Sequence, residues 1–312
     1  MRTGKPILCA ALLLGAPAAS AAEADSTPVL GMAGAGTANP RDPNALRRSP
    51  AAMLLEVGYA TRSDFRYGDG WAVSGGIFDS RTSDFGAGFT YTRQQVTREL
   101  EGMALPGWVV AGEPLPTDTR GENSWRLGMG YGLFRIPVAS ESGSYEIRRL
   151  ALGASVVYDR NSSTTYGISQ GVDLDVSVAG RPHRTLVLAA TVHDVLPTGL
   201  RQLSGEFGAW FEPVDILAVS VDGAYDPALG EAPWLVRGGA QVTLGGIVPV
   251  RAGYALYGRD DLLTDEGGIA QRLGLGIGAS SERASLDYAI TVHTVGPRAG
   301  SLEHSVGLWA SF

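Results

Sequence analysis

Cysteine is almost missing: among 312 residues the one thiol is Cys9. It lies in an N-terminal stretch with export character, so the chain after that stretch holds no thiol. Catalytic cysteine, cysteine-ligated zinc and disulfides are thereby excluded. Four histidines without close spacing offer no zinc site. Charged residues are 18% of the chain, below the ~25% of soluble domains. No apolar run approaches ~18 residues, so no membrane-crossing helix is expected. The formal net charge is −7, and an acidic chain is a poor partner for nucleic acid. A coiled coil, a disordered acidic chain and a disulfide scaffold all fail on these counts. What is abundant is glycine, at 43 residues. Each interior glycine costs a helix about 1 kcal/mol, which argues against a helical protein.

The first residues read as an export signal. Arg2 and Lys5 give a positive start, Ile7 to Leu14 a short apolar core, and Pro17 to Ala22 small residues suited to cleavage after Ala21 or Ala22. Residues 1–22 are assigned to this signal. Residues 23–53 differ in character from the rest of the chain. Pro40, Pro43 and Pro50 forbid a long helix there, and the glycine-rich run at Gly31, Gly34 and Gly36 permits tight bends. A compact, irregular segment is expected.

From Leu54 to Phe312 the period is two. Leu286, Tyr288, Ile290 and Val292 alternate with Ser285, Asp287, Thr291 and His293, and Leu150, Leu152, Ala154 and Val156 alternate with Arg149, Gly153 and Ser155. Fourteen strands are expected, near 54–66, 70–79, 83–95, 124–133, 145–159, 167–179, 185–193, 203–212, 216–225, 233–244, 247–257, 270–280, 284–293 and 302–312. Long connections alternate with short turns, with exceptions at 67–69 and 134–144. Strands of about 9–11 tilted residues span a bilayer, and only a closed barrel lets strands do so. The fold class is therefore all-β: an antiparallel transmembrane β-barrel of the outer-membrane kind, with a short N-terminal segment before it.

By alternation the inward face carries Arg126, Arg149, Asp173, Asp175, Glu206, Arg237, Arg251, Arg272 and Asp287. Arg41, Arg47 and Arg48 of the N-terminal segment are expected to pair with acids such as Asp173, Asp175 and Glu206. Such pairs, if hydrated, contribute ~1 kcal/mol or less each. The longest connection, 96–123, holds an apolar run with Leu105, Trp108, Val109 and Val110, a candidate mouth for a hydrophobic small molecule. Trp71, Trp125, Tyr131, Tyr158, Phe211 and Tyr254 suit interfacial girdles facing the membrane lipid. Leu308, Ala310 and the terminal Phe312 share one face of the last strand and resemble the recognition signal of the barrel-assembly machinery. Gly167 to Gly171 matches a nucleophile-elbow pattern, but no helix comes after it, so no enzyme activity is read from it. No cofactor is expected.

Gly31 to Ala38, then Asp42, Pro43, Asn44 and Ala45, then Ser49, Pro50, Ala51, Ala52 and Met53 resemble the start of mature long-chain fatty-acid transporters of the FadL type. They equally resemble the related barrels of the PorV type. Ser49 stands where those families carry Asn. The resemblance implies a fourteen-stranded barrel in the outer membrane of a Gram-negative bacterium, with residues 23–53 folded inward as a plug around Gly31, Gly34, Gly36, Asp42, Pro43 and Pro50. It implies uptake of small hydrophobic compounds or, alternatively, a non-transporting barrel that anchors or shuttles secreted or envelope proteins.

Overall fold

The computed structural model describes residues 25–42, 45–56, 58–68, 70–99, 117–140, 143–164, 167–196, 202–227, 233–259, 268–296 and 299–312. Pro43 and the candidate mouth residues Leu105, Trp108, Val109 and Val110 lie outside this set, as does the export stretch.

The chain opens with α1 (Thr27–Gly31), α2 (Ala45–Arg48) and a 3-10 turn at Ala52–Leu55. Pro28 sits in the first turn of α1, where its missing N–H has no helical partner to lose. The first seven strands are β1 (Tyr59–Tyr67), β2 (Gly70–Asp79), β3 (Phe85–Glu99), β4 (Thr117–Ser140), β5 (Gly143–Ser163), β6 (Gly167–His183) and β7 (Leu186–His193). After them come β8 (Ser204–Val214), β9 (Leu217–Tyr225), β10 (Trp234–Leu244), β11 (Val248–Arg259), β12 (Gly268–Ser280), β13 (Ala284–Val295) and β14 (Leu302–Ser311). Each strand pairs antiparallel with its chain neighbour, and β14 returns to β1 from Ala60↔Ser311 to Tyr67↔His304. The sheet is thus closed and has no edge to expose to hydrocarbon.

The alternation is inverted relative to a soluble protein. On β7 the buried positions are Val187, Ala189, Thr191 and His193, and the exposed ones are Leu188, Ala190 and Val192. Asp175, Asp222 and Asp287 are each 1% exposed, while Leu127, Leu275 and Leu308 are 50% or more exposed. Apolar outside and polar inside is the pattern a membrane-spanning barrel requires.

Several strands depart from the periodicity. Strand β1 begins at Tyr59, not 54, because Leu54 and Leu55 belong to the 3-10 turn and are buried. Strands β4 and β5 run 24 and 21 residues. Beyond the apolar belt, strand pairing needs no hydrophobic alternation, so sequence pattern underestimates it. The expected long connection at 134–144 is instead a two-stranded ribbon. It continues from Arg135↔Arg148 to Ser140↔Gly143, past the last β3 pair at Phe85↔Tyr131. Phe134, left-handed at φ 56°, marks its base. The interruption there also moves a charge: Arg148 is fully buried and Arg149 is exposed, so the inward arginine is Arg148 and not Arg149.

The C-terminus completes the closure. The Phe312 N–H donates to the Tyr59 carbonyl at 3.0 Å, its ring meets Tyr59 edge-on with centroids 5.7 Å apart, and Arg81 donates to its carbonyl at 3.0 Å. Leu308 and Phe312 both face outward. The turns at 80–84, 184–185, 215–216 and 281–283 share this end of the barrel. So does 245–247, where Gly245 and Gly246 take positive φ.

Candidate functional site

Residues 25–42 and 45–55 lie in the lumen. Helix α1 rests against β11 to β14, α2 against β3, and the 3-10 turn against β4 to β7. Met32, Leu46, Leu54 and Leu55 are essentially inaccessible to solvent. The approach is close because the facing wall positions are glycines. A Cβ on Gly253 would overlap the Met32 main chain, one on Gly274 the Leu30 and Ala33 main chain, and one on Gly128 the Leu46 side chain. Gly130 and Gly86 face Leu54, and Gly153 faces Ala51. The surplus of glycine thus lines the inner wall where the segment packs. Gly253→Ala is expected to weaken this packing by about 1–3 kcal/mol, as overpacking does. Gly238→Ala, whose Cβ would meet nothing closer than 4.0 Å, is expected to be neutral. Limited proteolysis of the segment in folded barrels measures both.

Polar anchors fix the segment between these contacts. The main-chain N–H groups of Gly36 and Thr37 donate to Asp222 Oδ2 at 2.7 and 3.0 Å, and the Thr37 hydroxyl donates to Glu206 and Asp222. Thr27 donates its N–H and hydroxyl to Asp64 at 2.8 and 2.7 Å. Arg272 donates to the Ala33 carbonyl at 2.8 Å, Arg126 to that of Arg47 at 2.9 Å, and Arg148 to that of Leu54 at 3.0 Å. Asp42 accepts from Ser26 within the segment, and Pro50 is buried beside Gly153.

Arg48 is the centre of the charge pattern. It donates to Asp25, lies 3.1 Å from Glu206 and 3.7 Å from Asp222, and its side chain is 5% exposed. Arg237 pairs with Glu206 from the wall, and His193 bridges towards Asp175 at 3.4 Å and Glu206 at 3.7 Å. Asp175 pairs with Arg126, and Arg251 with Asp287 at 2.7 Å. Arg62 reaches both Asp64 at 2.9 Å and Asp287 at 3.4 Å. Asp173 accepts from the Leu174 and Leu196 N–H groups. Of the arginines expected to reach lumen acids, Arg48 meets Glu206, Arg47 donates to Thr92 at 2.8 Å, and Arg41 lies by Glu56 and Glu212. The Arg48 group is far drier than the hydrated pairs expected from sequence, so its loss carries a larger cost.

Asp64, Asp25 and Arg148 escaped the sequence reading. Asp64 was legible, two residues after Arg62 on the same face. Asp25 sits in an irregular segment where alternation says nothing.

Burial pushes the Asp25 carboxyl upward, but Arg48, then Arg272 and Arg237, outweigh it and hold it below the usual aspartate value. The docked carboxyl is therefore the stronger acid. Its contribution is fully present above the undocked pKa of ~3.9 and is lost as pH falls through the lower docked value. The Asp25 share of docking is expected to be constant from pH 8 to about pH 5 and to fade below about pH 4. A pH series of protease accessibility checks this.

No protein-family model and no curated protein matches this sequence. Solved structures do. The CymD monoaromatic hydrocarbon channel superposes with a TM-score of 0.65 at 12% identity, covering 92% of this chain and 97% of that one. A Pseudomonas aeruginosa FadL homologue gives 0.65 at 13% identity, covering 92% and 98%. The Ralstonia pickettii toluene transporter TbuX gives 0.64 at 11% identity, covering 92% and 98%. The fold is that of the FadL-type channels. At such identities the likeness is one of fold, and residue roles in this barrel rest on its own geometry.

Proposed function

We propose that this FadL-type barrel sits in the outer membrane of a Gram-negative bacterium and takes up small hydrophobic compounds past a movable plug formed by residues 25–55. In this reading the export stretch is cleaved after Ala21 or Ala22, the short turns face the periplasm, and the long connections face outside. One observation carries it. Among the described residues, the segment is joined to the wall by side-chain hydrogen bonds, ion pairs and glycine packing, with no main-chain ladder between them. It can therefore shift without unpairing a strand. Small apolar compounds as cargo are supported by the names of the structural neighbours: a monoaromatic hydrocarbon channel and a toluene transporter. The test is entry of toluene into cells with and without the barrel. Faster entry supports uptake. Equal entry, with folded barrel present in the outer membrane, rejects it.

A second reading, a barrel that anchors a secreted or envelope protein, is favoured by the β4–β5 ribbon that projects beyond the short-turn rim. Crosslinking from ribbon positions to a periplasmic protein, with no toluene entry, would establish it.

Biogenesis gives a further expectation. Phe312 ties the last strand to Tyr59 of the first, while among the described residues the Ser311 hydroxyl makes one 3.4 Å bond, to the Glu282 carbonyl. Deleting Phe312 is expected to lower the amount of inserted barrel severalfold through lost recognition by the assembly machinery. Ser311→Ala is expected to leave it unchanged. Immunoblots of membrane fractions measure both.

A further inference from the structure

The outer face of β3 to β6 is built in rows by strand register. Arg93 is paired with Asn123, Asn123 with Arg160, and Arg160 with Gln170. The row one step closer to the membrane centre is Tyr91, Trp125 and Tyr158, with successive ring centroids 5.5 and 5.3 Å apart. Below it lie Phe89, Leu127 and Val156. The order is cationic and amide, then aromatic, then aliphatic, which is the order of headgroup, interface and hydrocarbon in a bilayer.

The upper row presents donors. Tyr91 donates to Asn123 Oδ1 at 3.1 Å and Tyr158 to Gln170 Oε1 at 2.9 Å. Both amide oxygens are thus turned to the tyrosines, which leaves the amide nitrogens to donate away from them. Arg93 lies over the Trp71 ring at 5.5 Å, and both Arg93 and Arg160 are exposed. Among the described residues, the remaining outward-facing strand positions on the long-connection half of the barrel hold no arginine or lysine. The chain has no lysine after Lys5. The two outward cations of this half are therefore grouped on one patch, two strand spacings or about 10 Å apart, with an amide between them. Arginine forks match phosphate oxygens, and a site near hydrocarbon strengthens the attraction.

We propose that the row Arg93–Asn123–Arg160–Gln170 docks the headgroup of a bisphosphorylated glycolipid of the outer leaflet. The arginines take the two anionic ends, and the amides donate to the uncharged sugar between them. The aromatic row supports the headgroup–acyl boundary. This rests on the reading that the long connections face outside.

The experiment uses the full barrel in neutral detergent and follows its thermal unfolding on addition of bisphosphorylated lipid A, dephosphorylated lipid A or phosphatidylglycerol. The barrel is expected to be stabilised best by the bisphosphorylated lipid, with apparent affinity falling roughly tenfold or more in the Arg93→Gln/Arg160→Gln double variant as charged hydrogen bonds are lost. The outward His304→Gln variant, on β14 outside the patch, is expected to respond as wild type. An unchanged response in the double variant, or an equal response to dephosphorylated lipid A, overturns the proposal. Equal or better stabilisation by phosphatidylglycerol also overturns it. Toluene entry measured on the same variants separates the two claims, because uptake can fail while arginine-dependent lipid binding persists, and the reverse.

Discussion

Deleting residues 25–55 is expected to leave a closed, folded barrel whose ion conductance in planar bilayers rises from near zero to that of an open pore. The wall survives because its charges are paired among themselves. Arg62 with Asp64, Arg251 with Asp287, Arg126 with Asp175 and Arg237 with Glu206 are all contacts between strands or along one strand. They need no residue of the segment. The main wall cation to lose partners is Arg272, which holds the Ala33 carbonyl and lies 4.0 Å from Asp25. In the emptied lumen it would be hydrated. What replaces the segment is water against a polar and glycine-lined surface, the interior of an open porin-like barrel. A folded barrel with unchanged conductance would show that the segment does not block the path. The anchoring reading would then overtake uptake.

The largest single-residue effect is expected at Arg48. Replacing it with Met leaves Asp25, Glu206 and Asp222 around an uncharged side chain, with Arg237 and Arg272 as the nearby cations. Removing one partner from a buried ionic group costs about 3–5 kcal/mol, roughly two to nearly four powers of ten in the docking equilibrium. Arg48→Met is therefore expected to give a folded barrel with an undocked, protease-sensitive segment and a raised leak conductance. Arg48→Lys should fall between, because an ammonium keeps the charge but lacks the fork that serves several carboxylates at once. Arg41→Met is the contrast. That side chain is 61% exposed, and its pairs with Glu56 and Glu212 should be worth about 1 kcal/mol or less. If Arg48→Met matches wild type in leak and proteolysis, the central charge cluster does not hold the segment.

Most of the barrel was legible because a membrane imposes a strict rule on each strand. Hydrocarbon accepts no charge, so Leu273, Leu275 and Ile277 had to alternate with residues of the other face, and the alternation names the strand and its orientation together. That rule ends where the hydrocarbon ends. The extensions of β3, β4, β5 and β6 are held by main-chain pairing and polar side-chain bonds such as Thr97 to Thr119, which leave no hydrophobic period, and opposite the left-handed Phe134 the alternation breaks so that Arg148 is buried and Arg149 exposed. Alternation also identified inward charges such as Asp175, Glu206 and Arg237 without saying which touch one another.

By itself, the sequence determined a closed barrel, its inner and outer faces, and an irregular segment before the first strand, because each arises from local composition and a period of two. Tertiary structure alone decided that Gly128, Gly253 and Gly274 form the floor on which Leu46, Met32 and Ala33 lie, and that Arg48 joins three carboxylates from distant parts of the chain. It alone aligned Arg93 with Asn123, Arg160 and Gln170. Those contacts depend on strand register and on the path of a non-periodic segment through the lumen. Both are set by the closure of the whole sheet, and no stretch of residues encodes them locally.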